Sequence, residues 1–502
     1  MKPRTLLPLL TLFLTVAQAR GGELQDQVRK LVSATGPRQG VTSVSVRDPS
    51  GQQVVSLQAD APLMPASNQK LLTTGAALRV LGPEFTFQTR LLRRGDRLTL
   101  VGDGDPALGD PELLDQMDYL DEQGQWHRGT TIDGLVDRWA QAARQAGMTR
   151  VSELVIDDRV FDRSTCHVDW PVDQLNESYC AEVSGVNFHL NCLTVWAAPS
   201  ARGAVVTRTE PCGDFVRIEN RTAVARKKKG SIWIQREPDE NRFTMRGFLT
   251  GKGESSHSVT VCEPAMFFGQ YLADRLRKAG VEVQSLRLAA VDDPPAGGEP
   301  IGPIMATPLH VVLSRCNRDS ENLYAESLLK RIGHAVSQQP GSWENGGKAV
   351  SGLVVRRVGG GGGVEIADGS GMSRENQLTT SVLSAWIQDL VRDPQLADPF
   401  LRSLAVGGKT GTVKRRFGDI DPRLATIRCK TGYIDGVSSL SGVVECQNGL
   451  RVPFSIISNG FRGDDLARAR QMQEAIVKAI VTEYARRPSL QPPAERPALG
   501  GG

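Results

Sequence analysis

Excess charge of either sign is scarce in this chain. Sixty Lys and Arg stand against 56 Asp and Glu, a net charge of +4 over 502 residues. That balance excludes the dense basic stripe that grips a phosphate backbone, so no nucleic-acid partner is expected. The short runs Arg226-Lys227-Lys228-Lys229 and Lys414-Arg415-Arg416 read as solvated loops. Aromatic residues make up only 5%, but apolar residues reach 40%, enough for a large core, and this excludes disorder over most of the chain. Glycine shows no three-residue period, which excludes a collagen-like chain. Beyond the N-terminus no apolar run is long enough to span a bilayer, so no transmembrane segment is expected. There is no C-x-x-C and no H-E-x-x-H, and the six histidines are scattered. A thioredoxin-like pair, a zinc knuckle and a metal centre are therefore not indicated.

What is present begins with an export signal. Lys2 and Arg4 form a positive start, Leu6 to Val16 an apolar stretch, and Ala17-Gln18-Ala19 a small-x-small cleavage site. Residues 1–19 are thus expected to be removed, leaving a periplasmic or otherwise exported protein. In an oxidising compartment the eight cysteines are free to form disulfides. Four of them, Cys166, Cys180, Cys192 and Cys212, fall close together, so a pair or two is expected in that segment, without the sequence choosing the partners.

Hydrophobic periodicity divides the rest. Leu24, Val28, Leu31 and Val32 share one helical face, and Thr42–Val46 and Val54–Leu57 read as strands around a turn. A helix is expected over Ser67–Val80, ended by Gly82-Pro83. From 91 to 300 the texture is strand-rich, with few helices, mainly at Ile132–Ala146 and Pro264–Ala279. Helices return at Ser320–Ile332, Trp343–Val358 and Leu378–Val391. A meander follows, with strands Ala425–Thr431, Ser438–Glu445 and Arg451–Ile457, the last two joined by the turn Gln447-Asn448-Gly449. A closing helix covers Asp464–Tyr484, and the Pro- and Gly-rich tail 486–502 reads as disordered.

Three short motifs carry chemistry. Ser67-Asn68-Gln69-Lys70 places a hydroxyl and an amine three residues apart on one helical face. Serine is a poor nucleophile without a neighbouring base, and lysine serves as one only when burial or nearby positive charge lowers its pKa. Ser320-Glu321-Asn322 offers a hydroxyl and an amide at the start of a helix, a pattern that an ordinary N-cap also explains. Lys430-Thr431-Gly432 ends a strand, where Lys430 points to the opposite face from Cys429 and Thr431, and Gly432 permits close backbone approach. A second K-T-G, Lys409-Thr410-Gly411, lies in a glycine-rich loop. It also misses the nucleotide-binding G-x-x-x-x-G-K-T pattern, because Ser403 stands where a glycine is needed.

Taken together, S-x-x-K, S-x-N and K-T-G are the signature of penicillin-binding proteins and serine beta-lactamases. The chain closely resembles the D-alanyl-D-alanine carboxypeptidase/endopeptidase family of class C penicillin-binding proteins, peptidase family S13. The resemblance extends over Pro65 to Thr89, VGDGDPAL (101–108), SENLYAESLLKRIG (320–333), DGSGMSR (368–374) and KTGYIDGVSSLSG (430–442). It implies an α+β catalytic domain, an antiparallel sheet flanked by helices, made from 20–90 and 301–485. The strand-rich 91–300 would be a large insertion, in two subdomains.

The resemblance also implies a mechanism without cofactor or metal. Ser67 would attack the penultimate D-alanine carbonyl of a peptidoglycan stem peptide or crosslink, with Lys70 as base. Ser320 would relay a proton toward the leaving amine, and Asn322 would hold the substrate amide. Lys430 and Thr431 would face the terminal carboxylate. Backbone N–H groups of Ser67 and Tyr433, beside Gly432, would form the oxyanion hole. Beta-lactams would acylate Ser67 covalently. Of the two K-T-G copies the catalytic one is expected to be that of Lys430, because it has the strand context. Tyr433 stands where the family commonly carries Thr or Ser, which points either to a weaker hold on a free carboxylate and a shift toward endopeptidase action, or, if the ring turns aside, to little change. A beta-lactamase or esterase on the same fold, and a non-catalytic cell-wall protein, are the alternatives.

Overall fold

The computed structural model of the protein describes residues 8–116, 118–120, 126–200, 205–225, 231–250 and 254–488. Residues 1–7 of the export segment, the run Arg226 to Lys229 and residues 489–502 of the tail lie outside the described residues. Residues 8–19 begin a helix that continues to Thr35 (Pro8–Thr35).

A six-stranded antiparallel sheet forms the centre. Its strands run in the order Gln53–Leu57, Val41–Arg47, Arg451–Asn459, Val437–Cys446, Ala425–Ile434 and Ala405–Val406. The expected meander is therefore its heart, and the N-terminal hairpin docks on the last meander strand, with Val44 opposite Ile456. Both faces of the sheet are covered, so Val437–Cys446 and Arg451–Asn459 are buried at nearly every position. On one face Val44, Val46, Leu440 and Ile456 pack against Leu24 and Val28 of the first helix and against Met472, Ile476 and Ile480 of the closing helix Leu466–Tyr484. The other face carries small hydroxyl residues. There Ser43 meets the Thr380 hydroxyl at 2.6 Å and Ser45 meets Ser384 at 2.8 Å, on the helix Thr380–Arg392. Small residues let this helix sit close, and its Trp386 packs with Leu71, Leu72 and Ala76 of the helix Lys70–Val80 in a second apolar core.

Between these parts the chain builds other layers. Strands Arg97–Val101, Glu153–Asp157 and Leu286–Leu288 pair in parallel, with Thr86–Arg94 antiparallel beside the first. Helices Ile132–Gln145 and Pro264–Lys278 pack on them through Trp139, Phe268 and Tyr271. Two three-stranded sheets follow. One contains Val205–Glu210, Cys192–Pro199 and Ser255–Thr260, and the other Arg217–Val224, Arg242–Leu249 and Ser231–Arg236. The strands Arg217–Val224 and Ser255–Thr260 are absent from the sequence reading. Their residues, RIENRTAV and SSHSVT, offer little apolar alternation: the first is largely solvent-facing, and the second carries a single large apolar residue, the buried Val259.

Buried polar contacts lock these layers to the helices around the central sheet. Asp110 accepts from Arg315 Nε at 2.9 Å and from the Tyr324 hydroxyl at 2.6 Å. Lys330, fully buried, donates to Asp162 at 2.7 Å and to the Ser164 carbonyl at 2.6 Å, with its amine 3.8 Å from the centre of the Trp343 ring. All eight cysteines are free thiols, so the pairing expected between 166 and 212 does not appear. Cys180 and Cys192 are buried, Cys166 is half-buried and Cys212 is exposed.

Candidate active site

The chain reaches Ser67 through a strained turn. Ala66 takes φ +46°, a left-handed conformation that is unfavourable for a residue with a side chain. A short 3₁₀ turn, Ala66–Gln69, then feeds the α-helix at Lys70. The expected single helix is thus a tighter turn followed by a helix, and the three-residue spacing still brings the two groups together. Lys70 Nζ lies 3.0 Å from Ser67 Oγ. It also donates to Asn322 Oδ1 at 2.6 Å and to the Ser370 carbonyl at 3.0 Å.

Lys70 is completely buried, and Ser67 is half-buried at the edge of the site. Burial pushes the Lys70 pKa below the ordinary lysine value, against the opposing influence of Cys316, Glu326 and Asp368.

Ser320 does not cap a helix. A π-helical turn, Arg315–Asp319, ends at Ser320 in the left-handed region (φ +71°), and the helix Asn322–Ser337 starts two residues later with Glu321 as its cap. This break separates the hydroxyl of Ser320 from the amide of Asn322 so that they serve different partners. Ser320 Oγ accepts from Lys430 Nζ at 2.8 Å, while Asn322 accepts from Lys70. The Asn322 amide nitrogen donates to the Tyr179 carbonyl at 2.9 Å.

Lys430 enters from the strand Ala425–Ile434. It is fully buried, and its pKa is held well below the ordinary lysine range by burial first and by the nearby Lys70 charge second. Its amine also donates to the Thr431 carbonyl at 2.8 Å. Thr431 faces outward, where its hydroxyl donates to that of Thr412 at 2.8 Å. Gly432 lies against the start of the first motif. A Cβ at this position would fall 2.2 Å from Ser439 Oγ and 2.9 Å from the Ser67 backbone nitrogen, so no larger residue fits. Ser439 in turn donates to the Pro65 carbonyl at 2.7 Å. Tyr433 is 50% exposed, with its ring in solvent at the strand's end.

Ser67, Lys70, Ser320, Asn322, Lys430 and Gly432 thus form one contiguous cluster, with Thr431 and Tyr433 at its rim. The other K-T-G stands apart. Lys409 is exposed in a turn, and the Thr410 hydroxyl accepts from the Val406 N–H at 2.9 Å, a bond internal to its own loop.

Several contributors were invisible in the sequence motifs. Glu326, one helical turn beyond Asn322, is wholly buried and accepts from the backbone N–H of Gly369 and of Ser370, each at 2.8 Å. It thereby fixes the carbonyl that Lys70 touches. Burial and the neighbouring Asp368 charge raise its pKa to about 7. A lone Glu within Leu323, Tyr324, Ala325, Leu328 and Leu329 was the available signal, because an acid among core residues must have buried donors. Asp368 accepts from the N–H groups of Gly371 and Ser373 at 2.7 and 2.6 Å and shapes the same turn. The Tyr179 carbonyl and the Thr412 hydroxyl left no sequence signal, since a backbone group and a loop hydroxyl acquire their roles only from the fold.

Known proteins are similar to the chain over most of its length. The chain is 28% identical to a D-alanyl-D-alanine carboxypeptidase of Actinomadura sp. strain R39, over 96% of this chain and 89% of that one. It is 24% identical to the D-alanyl-D-alanine carboxypeptidase DacB of Haemophilus influenzae, over 80% of this chain and 82% of the other. The crystal structure of penicillin binding protein 4 (dacB) from Haemophilus influenzae shares the fold, with a TM-score of 0.73 at 21% identity, covering 91% of this chain and 99% of that one. The sequence profile of the D-Ala-D-Ala carboxypeptidase 3 (S13) family matches residues 24–482, and the chain belongs to that family.

Proposed function

We propose that this chain is a serine-type D-Ala-D-Ala carboxypeptidase/endopeptidase. It cleaves peptidoglycan stem peptides or crosslinks through an acyl-enzyme on Ser67, and beta-lactams acylate the same hydroxyl. The observation that carries this reading is the buried Lys70 amine 3.0 Å from Ser67 Oγ. A neutral lysine has two N–H bonds and one lone pair. Asn322 Oδ1 and the Ser370 carbonyl accept the two N–H bonds, which leaves the lone pair for the Ser67 proton.

The steps follow from that arrangement. Ser67 Oγ bonds to the D-alanine carbonyl carbon as its proton passes to Lys70. The developing oxyanion takes the backbone N–H groups of Ser67 and Tyr433, and the missing side chain at Gly432 lets that strand approach the Ser67 backbone nitrogen. The C–N bond then breaks as Ser320 gives its hydroxyl proton to the leaving amine and takes one from Lys430 through their hydrogen bond. Water then adds to the ester, its proton returning through Ser320 to Lys430, while Ser67 leaves with the proton held on Lys70. The Asn322 amide nitrogen holds the substrate amide when it exchanges the Tyr179 carbonyl for it. Lys430 and Thr431 face the substrate carboxylate, and the exposed Tyr433 lacks the short hydroxyl that would help them, which favours endopeptidase action.

In this reading 20–90 and 301–485 form the catalytic domain and 91–300 is its insertion. Lys2, Arg4, the apolar Leu6–Val16 and Ala17-Gln18-Ala19 direct export to the periplasm or an equivalent compartment. Among the described residues no helix is long and apolar enough to cross a membrane. The test is release of D-alanine from a D-Ala-D-Ala peptide. Wild type should release it and Ser67→Ala should not, at unchanged thermal stability. Equal release by both proteins would refute the assignment.

A further inference from the structure

The segment 165–182 has two partners. Toward the catalytic cluster, Trp170 Nε1 donates to Asp368 at 3.1 Å and the Tyr179 carbonyl receives Asn322. Thr165, Cys166, Leu175 and Asn176 of the same segment line a separate cleft of about 780 Å³. Its other walls are the end of the strand Ser231–Arg236 and the start of the helix Pro264–Lys278.

The floor of this cleft holds a guanidinium that its neighbouring carboxylates only partly satisfy. Arg236 is 92% buried, at 8% exposure, and lines the cleft. Its Nη2 lies 3.5 Å from Glu182, but among the described residues Nε and Nη1 find no hydrogen-bond partner. Leaving buried guanidinium donors unmet is costly. Glu182 is already engaged by the Glu263 N–H at 3.1 Å. Arg163 is paired with Asp158 at 2.8 Å and does not supply the missing partner. Beside Arg236 stands the N-terminus of the 15-residue helix Pro264–Lys278. The N–H groups of Ala265 and Met266, both at the cleft, belong to its first turn and have no acceptor within the helix. Two independent features therefore call for an anion at the floor.

The mouth calls for the opposite. Asp173, Glu237, Asp239 and Glu263 are exposed there and line the same cleft. A simple anion must pass four carboxylates, and a simple cation must face the guanidinium and the helix N-terminus. A molecule with a carboxylate at one end and an ammonium at the other satisfies both ends.

We propose that this cleft binds a zwitterionic short peptide, with its carboxylate on Arg236 and the Ala265–Met266 N–H groups and its ammonium among the carboxylates of the mouth. The volume favours a peptide over a single amino acid. The site shares no side chain with the cluster around Ser67, so the proposal stands whether or not the catalytic reading holds.

Isothermal titration of the full chain tests it, with triglycine and glycine as zwitterions and acetate and methylamine as the separate ends. Triglycine should bind about tenfold or more tighter than acetate or methylamine, and tighter than glycine. Arg236→Gln should weaken triglycine about tenfold. Asp239→Asn combined with Glu263→Gln, at exposed positions, should weaken triglycine about fivefold and leave acetate binding equal or stronger. If Arg236→Gln does not fold, this second variant decides alone. Acetate binding as tightly as triglycine, glycine binding more tightly than triglycine, or triglycine binding unchanged by the double variant would each overturn the proposal.

Discussion

The chain carries Lys-Thr-Gly twice, and the two copies have different physical fates. Lys409-Thr410-Gly411 follows a two-residue strand, Ala405–Val406, and turns into solvent. Lys430-Thr431-Gly432 lies inside a ten-residue strand paired along its length with Val437–Cys446. In the strand, alternation drives Lys430 inward to Ser320, and burial lowers its pKa. In the loop nothing forces Lys409 inward. The same three letters thus make a site only where pairing fixes which face each side chain occupies. The loop copy is not idle, because the next residue, Thr412, bonds the Thr431 hydroxyl and closes the rim.

The sharpest way to break this comparison is to remove each lysine in turn. Lys430→Ala should lower kcat/KM on a D-Ala-D-Ala peptide by about a hundredfold to a thousandfold, since it strips a buried cation from Ser320 and the substrate carboxylate. Lys409→Ala should stay within about twofold, as exposed substitutions do. A larger loss at Lys409 would reverse the assignment.

The glycines come next. Gly432→Ala places a methyl 2.2 Å from Ser439 Oγ and 2.9 Å from the Ser67 nitrogen, and should cost about a hundredfold in acylation by displacing the nucleophile as well as lowering the melting temperature. Gly411→Ala, at φ +58° and with its Cβ 2.3 Å from the Arg318 carbonyl, should lower the melting temperature without that loss of acylation. Chemical denaturation and acylation rates on the same samples separate the two.

A pH profile sharpens the role of burial. Burial disfavours the charged amine, so neutral Lys70 appears below the usual lysine value of 10.5. Stopped-flow acylation by penicillin should rise with pH and level off below that value. A rate still climbing through it would mean that Lys70 is not the base.

Smaller effects test the rim. Thr412→Val should reduce activity about fivefold through the lost hydroxyl contact with Thr431. Thr410→Val should leave activity alone and cost about 1 kcal/mol of stability, since its bond to Val406 is local. Tyr433→Thr should produce the smallest change, a shift of a few-fold toward free D-Ala-D-Ala peptide over crosslinked dimer. An unchanged ratio means that Tyr433 does not set this preference.

What the sequence made legible follows the same division. Ser67 and Lys70 were readable because three-residue spacing holds in a 3₁₀ turn as in an α-helix. The meander was readable because its strands are buried on both faces and bounded by turn residues. The strands Arg217–Val224 and Ser255–Thr260, poor in large apolar residues, carried no such pattern. Ser320 was readable as a residue but not as a conformation, because its left-handed φ arises where a π-helical turn meets the next helix. Glu326 and the Tyr179 carbonyl depend on segments that meet only in the fold.

The most direct test of the central claim, that Ser67 is the nucleophile of a penicillin-sensitive acyl-enzyme, is intact-protein mass spectrometry after exposure to penicillin, followed by peptide mapping. Wild type and Lys409→Ala should each gain a single penicilloyl adduct on the peptide containing Ser67, and Ser67→Ala should gain none. An adduct that persists in Ser67→Ala, or that maps to another residue in wild type, would contradict it.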